Sequence, residues 1–377
     1  MLVSILIFLI IFSIIVVGHE LGHYAVARRC GIRVREFDVG MGPILYQKKG
    51  KETTFCIRAF PFGGACLFDG LEEMPDPDAM NASRNAGDAA GECKISDGAE
   101  NPEDTGADPH DYRNAGVGAR IATVLAGPAA NFLVGFVFAV VTVAFCGADL
   151  PVVNRVLENS AAEEAGLVSG DVITAINGES IHIYREVQLA SSMNYGEPLE
   201  ITYERDGTKN TVTLTPEYNE EAGRYYIGLL GSGDDLECSA LQVFQYGFYE
   251  VEYWVRATVK SLGMIFRGHF SIDDLAGPVG LVQAVDETYE VTKGYGVSAT
   301  VLTFMSMTTL LSVNLGIMNL LPIPGLDGGR FLLLAAELVR GKKLSVEKEG
   351  YITLAGAVVL LALMVLVMLN DISRFFR

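Results

Sequence analysis

The sequence is short of the residues that build several common kinds of site. Its six cysteines are scattered along 377 residues, with no C-x-x-C pair and no dense framework. Structural disulfides and a cysteine-ligated zinc site are therefore poor explanations for them. The chain also has no basic stripe and carries a formal charge of −18, which argues against a nucleic-acid partner.

Charged residues are also nearly missing from four long apolar runs, and each run is long enough to cross a lipid bilayer. They lie at about 1–28, 121–148, 297–321 and 352–369. A helix rises about 1.5 Å per residue, so about 20 apolar residues span the hydrocarbon core. The first run lacks a basic start and a convincing cleavage site, so we interpret it as a span and not as a secretory signal.

The basic residues predict how these spans are oriented. Arginine and lysine gather after the first run and again between the third and the fourth. Loops with this excess face the cytoplasm. Both termini are therefore expected on the extracytoplasmic side, together with the long acidic region 149–296.

The first run ends in the motif His19-Glu20-Leu21-Gly22-His23. Positions i and i+4 of a helix share one face, so His19 and His23 can bind one metal ion with Glu20 beside it. A catalytic zinc takes three protein ligands and keeps a position for water, from which a glutamate can take a proton. Ionisable residues in a span are costly and usually functional. The alternative is two histidines at a helix end near the headgroups.

A third ligand is needed, and Asp327 is the best candidate. It follows Asn319 in a segment at the cytoplasmic end of the third run, where Pro322 and Pro324 prevent a continuous helix. Broken backbone at membrane depth is tolerated only against protein or a water-filled cavity. The alternative is a Pro-Gly loop with a solvated aspartate. The other histidines are expected in polar regions far from the first helix: His110, His182 and His269.

These two motifs together resemble the site-2 protease family of intramembrane zinc metalloproteases. The motif HELGH near the N-terminus is paired with N-x-x-P-x-P-x-L-D-G-G far downstream, and the layout resembles the bacterial RseP-type branch with a PDZ domain. The resemblance implies that His19, His23 and Asp327 bind zinc (Zn2+) and that Glu20 is the general base.

The resemblance extends to residues around this site. It implies that one group of side chains holds and unwinds a substrate helix: Asn314, Asn319, Pro322 and Pro324. It places Gly63 and Gly64, in a membrane-associated β-loop, near the substrate, although an ordinary structural hairpin is the alternative. The second-span pattern of the family is matched by Ala126-Gly127-Pro128 and Asn131.

The polar regions of the chain differ from one another. Residues 71–113 are acidic and poor in apolar residues, which predicts disorder. Residues 151–231 alternate like a small β-rich domain and resemble a bacterial PDZ domain, which could bind peptide C-termini or exclude bulky substrates. Residues 241–268 have a helical apolar period, which predicts an amphipathic helix on the outer membrane surface or against the PDZ domain.

We therefore predict a polytopic α-helical membrane protein with four transmembrane helices, a membrane-associated β-hairpin region and an extracytoplasmic α+β PDZ domain. The expected segments are 1–29, first span with the zinc motif; 30–70, β-loop region; 71–113, disordered cytoplasmic insert; 114–148, second span; 149–232, PDZ domain; 233–296, amphipathic helix and connection; 297–324, third span with its Pro-broken end; 325–351, cytoplasmic loop with the aspartate ligand; and 352–377, fourth span and tail.

The predicted function is site-2 cleavage of single-span membrane proteins in the bacterial cytoplasmic membrane, with the active site toward the cytoplasmic side. The resemblance implies substrates such as pre-trimmed anti-sigma factors or remnant signal peptides. A membrane metal-binding or transport protein is one alternative, but it would need neither Glu20 nor a PDZ domain. A non-catalytic PDZ scaffold is another, and the intact ligand and base residues argue against it.

Overall fold

The computed structural model describes residues 1–70, 108, 110–220, 223–231, 236–266 and 277–375. Most of the predicted disordered insert, 71–113, lies outside these residues. In chain order the elements are α1 Leu2–Arg29, β1 Val34–Lys49, β2 Thr54–Phe68, α2 Val117–Cys146, β3 Val153–Val156, α3 Ala161–Glu164, β4 Val172–Ile176, β5 Glu179–Ser180, α4 Tyr184–Ser192, β6 Leu199–Arg205, β7 Thr208–Leu214, β8 Glu217–Asn219, β9 Arg224–Tyr226, β10 Leu229–Gly231, α5 Ala240–Phe266, α6 Pro278–Thr292, α7 Val297–Leu320, α8 Asp327–Arg340 and α9 Val346–Phe375.

Within the described residues, four helices are long and apolar enough to cross a membrane: α1, α2, α7 and α9. The helix α2 lies between α1 and α7 and packs against both. The buried residues of α1 recur mostly every three or four positions, which puts them on one face. That face carries Phe8, Ile11 and Ile15 into an apolar core with Val285 and Phe304, and one and two turns beyond Ile15 it carries the two histidines.

The strands β1 and β2 are long and irregular, and they fold back on each other. The segment 36–39 pairs on both of its edges, in parallel register with 54–57 on one side and in antiparallel register with 64–67 on the other. Among the described residues, the segment 64–67 pairs with no further strand on its other edge. This edge strand lies beside α1, since a Cβ on Gly64 would be 2.9 Å from Cγ of Glu20.

A separate β-rich domain is built between α2 and α5. Its main sheet has the strand order β5-β4-β6-β7, and a second pair is formed by β3 and β10. The strands β6 and β7 form a hairpin, because they pair antiparallel around Asp206 and Gly207. Both residues have positive φ, 52° and 76°, as a type I′ turn requires. The core of this domain includes Ile173, Ile201 and Val187.

The helix α5 contacts the β-rich domain, which was one of the two positions predicted for the helix at 241–268, but it also packs against membrane helices. It packs against α2 and α7, and a Cβ on Gly247 would be 2.7 Å from the Val140 side chain in α2. Its other side reaches the β-rich domain, where Arg256 donates to the carbonyl oxygen of Ser180 at 2.9 Å. The apolar period predicted the helix, but the neighbours that cover it come from distant parts of the chain.

Two further segments contain structure that we did not expect. The predicted cytoplasmic loop at 325–351 contains the helix α8, which begins at Asp327. The connection within 233–296 contains a second helix, α6, which begins at Pro278, where a proline is favourable because the first helical N–H groups have no partner within the helix. Asp371 in α9 caps this end by accepting from the backbone N–H groups of Gly277 and Gly280.

Candidate metal centre

Three ligand atoms meet between α1 and the start of α8: Nε2 of His19, Nε2 of His23 and Oδ2 of Asp327. The two nitrogens are 3.1 Å apart, and the oxygen is 3.2 Å from one and 3.3 Å from the other. Oδ2 is buried, with no hydrogen-bond partner among the described residues. A tetrahedral zinc ion with bonds of about 2.0–2.1 Å would hold its ligands about 3.3 Å apart. The triangle therefore fits such an ion.

The outer nitrogens of both histidines are held by α2. Nδ1 of His23 donates to the carbonyl oxygen of Thr123 at 2.8 Å, which leaves Nε2 with a free lone pair. Nδ1 of His19 lies 3.2 Å from the side-chain amide of Asn131. The atom that faces the ring is the amide nitrogen, while the amide oxygen of Asn131 is buried without a partner among the described residues. Exchanging these two amide atoms would let the oxygen accept the Nδ1 hydrogen and would fix the same tautomer as in His23. Metal-binding histidines commonly have such partners, which orient the ring.

Two glycines let the helices approach closely enough for these contacts. A Cβ on Gly127 in α2 would lie 2.3 Å from Nε2 of His23 and 2.7 Å from Cε1 of His19. A Cβ on Gly22 in α1 would lie 2.3 Å from the carbonyl oxygen of Ala126. These distances are shorter than any allowed contact, so a larger residue at Gly127 would displace the histidine rings and one at Gly22 would push the two helices apart.

The backbone break before α8 brings Asp327 to this site. The helix α7 ends at Leu320, and α8 starts after a short segment that contains Pro322 and Pro324. This segment lies against α9, since a Cβ on Gly356 would be 1.8 Å from the Pro324 carbonyl oxygen. The aspartate is in the first turn of α8, where a negative charge is favourable.

A buried ion pair fixes the other end of α8. Arg120 in α2 makes two hydrogen bonds to Glu337, at 2.5 Å and 3.1 Å, and both residues are buried. Since α8 starts at Asp327, this pair contributes to the placement of the aspartate. The pairing joins residues 217 positions apart, so no local sequence pattern could have indicated it.

The remaining predicted site residues are not all in one place. Glu20 interacts electrostatically with His19, His23 and Asp327, and Gly64 lies directly beside it. Asn314 instead contacts α5, where the hydroxyl of Thr258 donates to its side-chain oxygen.

Four more positions complete the predicted set. Gly63 has a φ of +79°, and a Cβ there would be 2.8 Å from the Met41 side chain. Pro322 is exposed, whereas Asn319 and Pro324 are partly buried. The sequence did not indicate Thr123, because the group that contacts His23 is its backbone carbonyl, which every residue type has.

The comparisons with known proteins agree with one another. The model of peptidase family M50 matches residues 7–363. The chain is 34% identical to zinc metalloprotease RasP of Geobacillus kaustophilus, over 99% of this chain and 98% of the relative. It is 34% identical to the probable protease eep of Enterococcus faecalis, over 99% of each chain. It is 30% identical to the regulator of sigma-W protease RasP of Bacillus subtilis, over 99% of each chain.

A solved PDZ domain from Listeria monocytogenes aligns with 24% of this chain and 92% of its own length. The sequence identity is 20% and the TM-score is 0.18, which is too low to support a shared fold. The family match and the full-length relatives extend over almost the whole chain. The chain therefore belongs to peptidase family M50, the site-2 protease family, and is a membrane-associated zinc metalloprotease.

Proposed function

We propose that His19, His23 and Asp327 are the zinc ligands of an intramembrane endopeptidase and that Glu20 is its general base. The observation that carries this proposal is the triangle of ligand atoms with sides of 3.1–3.3 Å. Its three residues come from two distant segments of the chain, and Nδ1 of each histidine has a partner in α2.

Bound zinc supplies a Lewis acid that polarises the scissile carbonyl. The protein residues do the rest of the work. Thr123 and Asn131 keep the histidine rings oriented, so that the ligands do not reorganise during the reaction. Glu20 accepts a proton from the attacking water and delivers a proton to the leaving amine nitrogen, as a general base and then a general acid.

The edge strand 64–67 supports a way to present the substrate. A peptide in extended form could add to its open edge through main-chain hydrogen bonds, next to Glu20. A helix must unwind before its backbone can make such bonds. We propose that Gly63 and Gly64 contact the extended substrate, and that four residues near the broken segment hold the unwound helix: Asn314, Asn319, Pro322 and Pro324.

The proposed substrates are single-span membrane proteins that a first cleavage has shortened. The Bacillus subtilis relative is named regulator of sigma-W protease RasP, which supports anti-sigma factors as one proposed class; remnant signal peptides are the other. We propose that the enzyme lies in the bacterial cytoplasmic membrane, with both termini outside and the metal centre toward the cytoplasm. The β-rich domain is proposed to be a PDZ domain that excludes bulky substrates more than it captures peptide C-termini.

One experiment tests the proposed mechanism. Purified protein in detergent is incubated with a truncated single-span substrate, and cleavage is compared for the wild type, for Glu20→Gln and for the wild type with a chelator. We expect cleavage only in the untreated wild type, and a zinc content in Glu20→Gln equal to that of the wild type. Cleavage by Glu20→Gln at the wild-type rate would contradict the role of Glu20. Zinc retained in full after Asp327→Ala would contradict the ligand set.

A further inference from the structure

A second group of potential metal ligands lies in the β1–β2 hairpin, apart from the site described above. Glu36 and Asp38 are two positions apart in β1, so their side chains lie on the same face of the strand. Cys56 in β2 is the cross-strand partner of Asp38. One oxygen from each carboxylate and the sulfur all lie within 4.8 Å of one another. The sulfur of Cys56 is 3.2 Å from Oε1 of Glu36.

One oxygen in this group is buried and unsatisfied. Asp38 is only 4% exposed, and its Oδ1 atom has no hydrogen-bond partner within the described part of the chain. Arg58 holds the other oxygen, Oδ2, through its Nε atom at 2.5 Å, and it also donates to Oε1 of Glu36 at 3.0 Å. A buried carboxylate oxygen without a partner is costly. The guanidinium therefore orients both carboxylates but leaves Oδ1 available.

The charges of the group favour a cation over a further neutral ligand. Two carboxylates face the single guanidinium of Arg58, and Cys56 is only 1% exposed. A bound cation deprotonates a coordinating thiol outright. Three negative charges would then face one guanidinium and one divalent ion, and the group would be neutral. A thiolate with two carboxylates suits a borderline metal such as zinc and does not suit calcium or magnesium.

We propose that Glu36, Asp38 and Cys56 bind a second divalent transition-metal ion, such as zinc, within the hairpin. Arg58 is the outer partner that orients the two carboxylates. This ion would join β1 to the first half of β2 and would stiffen the sheet that carries the edge strand 64–67. The proposal is independent of the roles proposed for His19, Glu20, His23 and Asp327, because it shares no residue with them.

Cobalt substitution separates the two sites, because only the hairpin site contains sulfur. The metal-free full-length protein is titrated with Co2+ in detergent, and its absorption spectrum is recorded. We expect two ions per chain, and a sulfur-to-metal charge-transfer band in the near ultraviolet in addition to the visible bands of the histidine site. Cys56→Ser and Asp38→Asn should each lose one ion, and Cys56→Ser should lose the charge-transfer band. Cys66→Ser, which changes a thiol in the same strand, should keep both ions and the charge-transfer band.

The visible bands of the histidine site report that each variant is folded, so a loss in the hairpin can be distinguished from misfolding. If Cys56→Ser alone fails to fold, the metal content of Asp38→Asn decides. A wild-type protein that binds only one Co2+ and shows no charge-transfer band would overturn the proposal. A charge-transfer band of full intensity in Cys56→Ser would also overturn it, since the sulfur would then come from another cysteine.

Discussion

Gly127 lies against the metal centre, and there is no space for a larger side chain at this position. A Cβ atom at this position would lie only 2.7 Å from the ring of His19 and 2.3 Å from the ring of His23. Both rings belong to proposed ligands. The identity of this residue is therefore set by the metal centre, although it offers no atom to the ion.

Gly127→Ala is expected to displace both histidine rings. A misplacement of about 1 Å in a catalytic site can cost about 100-fold in rate, so we expect cleavage to fall by at least about that factor, with a weaker affinity for zinc. The measurements are the cleavage rate and the zinc content after dialysis. Gly118→Ala is the matched control in the same helix, because its added Cβ meets nothing within 4 Å. Equal activity in the two variants would contradict this account.

The proposed ligands could be predicted at the residue scale, whereas most of their partners could not. His19 and His23 are four positions apart, so helical geometry alone places them together. Asp327 was a candidate because it lies at the cytoplasmic end of the third run, and the family resemblance then implied it as a ligand, since no periodicity connects it to the first helix. The carbonyl of Thr123 and the neighbours of Gly127 depend on how α2 packs against α1, which is set by contacts between distant parts of the chain.

The broken segment between α7 and α8 depends on α9 for its position. Pro324 lies directly against Gly356 of α9, where an added Cβ would be 1.8 Å from its carbonyl oxygen. We expect Gly356→Ala to push this segment away and, with it, the start of α8. Cleavage should fall by about 10-fold or more, because Asp327 is displaced from the histidines. Gly350→Ala in the same helix is the control, since nothing lies within 4 Å of its Cβ. A normal rate for Gly356→Ala would show that the segment can adjust.

The β-rich domain contains a buried carboxylate whose charge stabilises the fold. Asp171 is fully buried. Burial raises the pKa of Asp171, but the hydrogen bonds from Arg205 and from the backbone N–H of Val168 outweigh it and hold the pKa below its usual value. The folded-state pKa is lowered, so this stabilisation is present above the unfolded-state pKa and is lost as the pH falls through the folded value.

Asp171→Asn should therefore destabilise this domain at neutral pH and have less effect in acid. We expect a loss of about 2 kcal/mol in the free energy of unfolding at pH 7, because hydrogen bonds to a charged group contribute about 1.5–3 kcal/mol. Hydrogen exchange of the domain in the intact protein, measured at pH 7 and pH 3, provides the test. Asp206→Asn, in the exposed turn between β6 and β7, should have little effect. If Asp171→Asn lowered the free energy of unfolding equally at pH 7 and pH 3, the stabilising role of the Asp171 charge would be contradicted.

At the scale of elements, the sequence predicts features that depend on local residue patterns within one helix or hairpin. The four apolar runs and the β6–β7 hairpin follow from run length and from the Asp206-Gly207 turn. The helices α6 and α8 were not expected, because glycines and prolines at their starts indicated loops. The contact of α5 with the β-rich domain was one of its two predicted positions, but its packing against α2 and α7 was not predicted, since an apolar face on a helix fits equally well against lipid or against other helices.

Across the whole molecule, α5 joins the β-rich domain to the membrane helices. One side of it contacts α2 and α7. On the other side Arg256 reaches the Ser180 carbonyl oxygen and Lys260 reaches Glu179 at 2.7 Å. His182 also stacks on Tyr249 with ring centroids 3.9 Å apart. The domain is therefore in direct contact with α5, which in turn packs against the membrane helices.

Loosening this attachment should change which substrates are cleaved more than how fast they are cleaved. We expect Arg256→Ala combined with Lys260→Ala to cleave a trimmed substrate at close to the wild-type rate. The double variant should cleave an untrimmed substrate measurably faster than the wild type does, if the domain excludes bulky partners. The measurement is the ratio of the two rates, with Lys209→Ala on the exposed strand β7 as the control. An unchanged ratio would argue against exclusion by this domain.

Gly22, inside the metal-binding motif, also determines how closely α1 and α2 can approach each other. Its neighbour across the interface is the Ala126 carbonyl oxygen, which would be 2.3 Å from an added Cβ. In the H-E-x-x-H pattern this position is formally open to any residue, but in this protein it is not. A designer who transplants the motif into another membrane helix would therefore also have to transplant the glycine and a second helix to meet it. Without them the histidines would be present but their orienting partners would be out of reach.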